Sequence, residues 1–136
     1  MKITKQDEEL IAIAFDVVKS NSDLYEANNL HAGCALRAKS GKVYKGMNIK
    51  SSHSICAEQV AIGQAFANGE REIDTIVTAS LTTSGEPRVV SPCGLCRYTF
   101  DKLGLEMNVI LFDISDNKVK KVKASELLPY PYKRNV

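Results

Sequence analysis

Residues 57–67 read Ala-Glu-Gln-Val-Ala-Ile-Gly-Gln-Ala-Phe-Ala, and residues 73–81 read Ile-Asp-Thr-Ile-Val-Thr-Ala-Ser-Leu. The first stretch, rich in Ala, Ile, Val and Gln, predicts a mostly buried helix that stops near Asn68-Gly69. The second predicts a strand, ended by Thr82-Thr83-Ser84-Gly85-Glu86-Pro87. A second buried helix is expected over Gly94 to Leu103, closed by Gly104, and a further strand over Asn108 to Asp113. Helices placed between strands imply crossover connections and a sheet covered on both faces.

Upstream, His31-Ala32-Gly33-Cys34-Ala35-Leu36 and Lys42-Val43-Tyr44-Lys45-Gly46-Met47 flank Lys39-Ser40-Gly41, a β-hairpin pattern with Gly41 supplying the turn. Residues 6–19 carry Leu10, Ile11, Ile13, Ala14, Val17 and Val18, the spacing of an amphipathic helix, which Asn21-Ser22-Asp23 would end. Downstream, Val119 to Val122 is a last strand, and Leu127-Leu128-Pro129 ends the ordered pattern. The order α-β-β-α-β-α-β-β predicts an α/β fold: a three-layer α/β/α sandwich around a mixed sheet of about five strands. No repeat, low-complexity tract or linker interrupts the 136 residues, so one domain over 1–136 is expected.

With 44% hydrophobic and 25% charged residues, the chain has enough apolar side chains for a core without disulfide staples. No apolar run approaches the roughly 18 residues that span a bilayer, and Met1 to Glu9 turns acidic where a signal peptide would be apolar. A cytoplasmic protein with no membrane partner is expected. The net charge is only +2. Lys120-Lys121-Val122-Lys123, the one basic cluster, lacks interleaved aromatics and reads as a solvated strand end rather than a nucleic-acid patch. The cysteines, at 34, 56, 93 and 96, are then expected as thiols or metal ligands rather than disulfides.

Two fragments carry the chemistry: Cys56-Ala57-Glu58 and Pro92-Cys93-Gly94-Leu95-Cys96. Each lies at the start of a predicted helix. Three thiolates would bind Zn²⁺ and leave a fourth position for water, the arrangement of a catalytic rather than a closed structural site. Zinc lowers the pKa of its water towards ~7, making hydroxide available at neutral pH. Glu58, two residues beyond Cys56, stands close enough to take that proton and return it to a leaving group. Three thiolates and Zn²⁺ sum to one negative charge, which helix N-termini favour and Arg97 would offset. An isolated C-x-x-C also suits a redox pair or half of a structural zinc site; the second fragment, with its acid, argues against both. Cys34, in an apolar strand, reads as a small buried hydrophobe. His53, three residues before Cys56, reads as a loop or substrate-lining residue, since a fourth ligand would close the site. His31, at a strand edge, reads as structural.

These fragments resemble the cytidine deaminase family of zinc enzymes. The resemblance spans nearly the whole chain. His31 to Leu36 is similar to the family's V-G-A-A-L strand, Gly46-Met47-Asn48-Ile49 to its G-x-N-V segment, and Leu127 to Tyr132 to its L-L-P-x-x-aromatic tail. Spacing and order resemble the small three-cysteine branch that includes cytidine and blasticidin-S deaminases. The resemblance implies zinc held by Cys56, Cys93 and Cys96, with Glu58 as general acid and base. It also implies that the Ala57 N–H meets the base carbonyl, that Asn48 contacts the sugar, and that Tyr132 lines a site, often a neighbouring subunit's. A homotetramer acting in nucleoside deamination and pyrimidine salvage is the corresponding expectation.

The chain departs from cytidine deaminases at the sugar side. They carry N-V-E, whose Glu holds a ribose hydroxyl; here the segment is Asn48-Ile49-Lys50. The stretch from Asn48 to Cys56 is shorter, and Gln59 stands where Arg is common, both nearer to the blasticidin-type pattern. The expected activity is release of ammonia from C4 of cytidine or deoxycytidine by zinc-bound hydroxide. The alternative is a modified aminopyrimidine nucleoside such as blasticidin S, its substituent read by His53 and Ser54. A non-catalytic zinc or ligand-binding module is a third reading, which Glu58 argues against.

Overall fold

The computed structural model describes residues 1–24 and 31–133. The first helix, α1 (Lys5–Ser20), starts at a reciprocal cap: the Asp7 N–H donates to Thr4 Oγ1 at 3.1 Å and the Thr4 N–H to Asp7 Oδ2 at 2.9 Å. These bonds satisfy backbone donors that a helix start leaves open. Strands β1 (Ala32–Ala38) and β2 (Val43–Met47) form the expected antiparallel hairpin, and Gly41 takes the left-handed φ of +91° that its turn needs. Then follow α2 (Ala57–Ala67), β3 (Ile73–Leu81), β4 (Pro87–Val90), α3 (Gly94–Lys102), β5 (Asn108–Asp113), β6 (Lys118–Lys123) and a 3-10 turn over Ala124–Leu127.

The sheet runs β2-β1-β3-β5-β6, with β4 alongside the C-terminal half of β3. Only β3 and β5 are parallel, as the crossover through α3 requires; the other pairs are antiparallel. Successive strand residues alternate between two cores. Leu10, Ala14 and Val18 of α1 pack on Ala35, Val77, Ala79 and Ile110. On the opposite face, Ala57, Ala61 and Ala65 of α2, with Cys96 and Phe100 of α3, pack on Cys34, Leu36, Ile76 and Val109. The three layers are therefore α1, the sheet, and α2 with α3. Two glycines set the spacing of the layers. A Cβ on Gly33 would lie 2.8 Å from Val18 N, and one on Gly46 would lie 2.5 Å from Ala61 N and 2.6 Å from Ala57 O. Helix α2 therefore rests directly on β2, which fixes the height of its first turn above the sheet.

The sheet has six strands, one more than the sequence pattern suggests. The addition is β4, four residues hidden behind the turn at Gly85, of which only Val89 is fully buried. The basic cluster on β6 is also different from its expected character. Lys121 is not a solvated lysine: its side chain is 10% exposed and its Nζ lies 2.8 Å from Asp7 Oδ2. Asp7 is fully buried and also meets Arg37, which in turn bonds Asp74. Lys120 pairs with Asp113 and Asp116. A buried carboxylate on α1 captures one lysine, and two surface acids capture the other.

Candidate active site

The crossover topology brings the starts of α2 and α3 together over β1 and β3. Cys56 is the N-cap of α2, Cys93 is the N-cap of α3, and Cys96 lies in the first turn of α3. Their Sγ atoms all lie within 4.8 Å of one another. Cys56 Sγ and Cys93 Sγ are 3.7 Å apart. Two sulfurs at about 2.3 Å from one tetrahedral zinc would be about 3.8 Å apart, so the spacing fits the ion. Both helix N-termini face the cluster and favour its negative charge. Burial pushes Cys93 up, but N–H groups of Cys96 and Leu95 and the neighbouring thiols outweigh it and bring Cys93 below the ordinary thiol range. Cys56 and Cys96 are raised, first by burial and then by their charged neighbours. Binding a cation would draw the three thiols into their thiolate forms.

Glu58, in the first turn of α2, is 6% exposed. Burial raises its carboxyl above the usual range, against opposing hydrogen bonds from its own N–H, Cys96 and Thr78. The carboxyl is thus buried at the start of α2, two residues beyond Cys56. Gln59 and Arg97 brace the two cysteine segments through bonds that the sequence pattern does not give. The Cys56 N–H donates to Gln59 Oε1 at 3.2 Å, and Gln59 Nε2 donates to Thr99 Oγ1 at 3.3 Å, tying α2 to α3. Arg97, expected as a compensating charge, donates through Nε to the Pro92 carbonyl at 2.8 Å and so also pins the turn before Cys93.

The remaining candidates separate. Asn48 ends the β1–β2 pair: its N–H donates to Ala32 O at 3.1 Å, and its Oδ1 accepts from the Ala32 N–H at 3.0 Å. The amide N–H groups of Asn48 and the second lone pair of its Oδ1 lie outside this bond. Ile49 and Ile55 exchange two backbone bonds of 2.9 Å, closing residues 50–54 into a tight loop. Ser54 Oγ donates to Ser51 O at 3.1 Å within it. His53 is exposed there, with Nδ1 3.3 Å from Ser52 Oγ, and is not among the clustered ligand atoms. Cys34 is buried under α2, outside the cluster, and His31 is buried beside the start of β1. Tyr132 is 70% exposed and lies at the other end of α3, where Lys102 Nζ donates to its carbonyl at 3.0 Å and sits 5.3 Å from its ring centre.

A three-layer sandwich with three thiols and a buried carboxylate at two helix starts defines a zinc deaminase type of protein. Residues 4–112 match the cytidine and deoxycytidylate deaminase zinc-binding region. The chain is 36% identical to blasticidin-S deaminase of Bacillus cereus, covering 98% of this chain and 96% of that protein. It is 30% identical to cytidine deaminase of Halalkalibacterium halodurans, covering 75% and 76% of the two chains. The crystal structure of cytidine deaminase from Burkholderia pseudomallei superposes with a TM-score of 0.68 at 27% identity, covering 89% of this chain and 98% of that one. This chain belongs to the cytidine and deoxycytidylate deaminase family, and its three-cysteine cluster fits Zn²⁺.

Proposed function

We propose that this protein is a zinc-dependent hydrolytic deaminase that exchanges the C4 amino group of a cytosine-type nucleoside for oxygen, consuming water and releasing ammonia. The observation that carries the reading is the buried Glu58 set against three clustered thiols. Cys56, Cys93 and Cys96 hold the ion. Zinc there supplies an activated water at neutral pH. Glu58 accepts a proton from that water and delivers it to the departing amine; a carboxyl raised by burial suits both halves of the task. The Ala57 N–H, in the first turn of α2, donates to the base carbonyl, and the Asn48 amide donates to the sugar.

Within that class, blasticidin S is a second reading with its own support. Lys50 replaces a hydroxyl-accepting Glu, the loop closed by Ile49 and Ile55 is short, and the Bacillus cereus relative matches over nearly its full length. His53 and Ser54 on that loop read the substituent. The chain works as one domain over residues 1–136, in the cytoplasm, as a homo-oligomer, with a tetramer favoured. Among the described residues no helix is long and apolar enough to cross a membrane. Exposed Leu95, Tyr98 and Tyr132 along α3 support a subunit contact. An ammonia-release screen over cytidine, deoxycytidine, cytosine, blasticidin S and adenosine tests the proposal. Release from cytosine-bearing nucleosides is expected; none from any of them by zinc-loaded protein would overturn it.

A further inference from the structure

Cys56 is the one cysteine of the cluster that α2 supplies; α3 supplies Cys93 and Cys96. Three sulfurs can share an ion only while the two helix starts keep one separation. Gln59 lies three residues beyond Cys56, and Thr99 three residues beyond Cys96. At that spacing each shares a helix face with its cysteine. Both are half-buried. The Cys56 N–H can only donate, so it meets Gln59 Oε1, at 3.2 Å, and leaves Nε2 to donate to Thr99 Oγ1 at 3.3 Å. The Thr99 hydroxyl gives its own proton to the Leu95 carbonyl at 2.9 Å, which keeps a lone pair for Gln59. Leu95 stands between Cys93 and Cys96. A line of three hydrogen bonds, all donated in the same direction, therefore runs from the backbone of Cys56 to the turn that carries the other two cysteines. The place asks for a side chain that accepts at one atom and donates at the next. Arginine only donates and an ionised glutamate only accepts; a glutamine amide does both.

We propose that Gln59 is a positioning residue for the metal centre: with Thr99 it forms a strut that sets the distance between the starts of α2 and α3, and so decides how tightly the three cysteines hold zinc. The inference rests on Cys56, Cys93 and Cys96 being the ligands. Gln59 does not touch the ion. It holds the peptide N–H of one ligand and, through Thr99, the turn of the other two. Without the strut the two helix starts can drift apart, and the ion then binds to sulfurs that have to be drawn back together. Partners that orient metal ligands from outside the first shell typically contribute about 10- to 100-fold to affinity.

The test compares full-length wild type with Gln59→Met, Thr99→Val, their double variant, Thr99→Ser and Cys93→Ser. Competition with a chromophoric chelator gives the zinc Kd. It should rise roughly 10- to 100-fold in Gln59→Met and in Thr99→Val, no further in the double variant, and by less than about threefold in Thr99→Ser, which keeps the hydroxyl. The thiolate-to-metal absorption of the Co²⁺-loaded protein should shift in the first two and not in Thr99→Ser. A shift in the urea midpoint of the metal-free protein, with zinc Kd and cobalt spectrum unchanged, would mark a packing role and overturn the proposal. So would losses that add in the double variant, or a Thr99→Ser protein as weak as Thr99→Val. One measurement needs no variant. In wild type the Gln59 side-chain amide protons should exchange with water at least about tenfold more slowly by NMR than those of exposed Gln6. Equal exchange overturns the strut even if the variants fail to fold. Unchanged zinc Kd in Gln59→Met beside loss of the metal in Cys93→Ser removes only the strut; a Cys93→Ser protein that holds zinc as tightly as wild type removes the ligand reading as well.

Discussion

At the scale of single residues, the proposed function divides the tasks of holding charge and moving protons. Cys56, Cys93 and Cys96 offer soft donors where two helix starts favour negative charge. Glu58 sits two residues from one of them, yet it is buried against the sheet. Glu58→Gln keeps the size and the hydrogen-bonding outline but cannot carry a proton. We expect this variant to fold and retain one zinc per chain by metal analysis, with kcat down by ~10²–10⁴-fold or more. Near-normal turnover in the zinc-loaded variant would remove Glu58 from the chemistry. The cysteine cluster and its neighbouring acid are legible in the sequence because C-A-E and P-C-x-x-C are local patterns whose chemistry is carried by residue type and spacing. The bridging role of Gln59 is not: a glutamine in a helix is ordinary, and only the meeting of α2 with α3 gives it Thr99 as a partner.

At the scale of elements, the segment between β2 and α2 leads directly into Cys56. Its ends are fixed by the Ile49–Ile55 bridge and by Asn48 on Ala32, so its side chains project from a closed frame. Lysine has donors and no acceptor, so Lys50 cannot receive a bond from a ribose hydroxyl. Lys50→Glu should raise kcat/KM for cytidine relative to blasticidin S by roughly tenfold, about the effect of one hydrogen bond of ~1–1.5 kcal/mol, without changing zinc content. Equal ratios in wild type and variant would show that this position does not read the substrate. Helices α2 and α3 and strands β3 and β5 were readable from composition and turn residues. Strand β4 escaped because four residues with one buried side chain give no period to detect.

At the scale of the whole molecule, two features await measurement. The first is the buried charge group that ties α1 to the sheet. Burial pushes the Asp7 carboxyl up, but the Lys121 ammonium, the Thr4 bonds and the Arg37 guanidinium outweigh it and hold it at about 2, against an ordinary 3.8. A folded pKa below the unfolded one gives stability that is present above the unfolded value and lost as pH falls through the folded value. Asp7→Asn should therefore cost about 3 kcal/mol in urea unfolding at pH 7, with the difference from wild type shrinking between pH 4 and pH 2. A constant difference across that window would assign the loss to packing instead. The second is assembly. Leu95, Tyr98 and Tyr132 leave an apolar stripe on α3, and Tyr132 stands at the far end of that helix from its own cysteines. Light scattering should find an oligomer, and Tyr132→Ala should lower turnover; a fully active monomer would exclude sites shared between subunits.

The partnership of Asp7 with Lys121 spans 114 positions. A ribosome adding about 5–20 residues per second makes Asp7 roughly 6 to 23 seconds before it makes Lys121. During that interval α1 can form and cap itself, but its buried carboxylate lacks the ammonium that offsets its burial. Until then α1 depends on its apolar face and on Arg37, the cationic partner of Asp7 made first. The last strand acts as a latch on the first helix, and a nascent chain cut before residue 121 lacks the second of the two cations that meet Asp7.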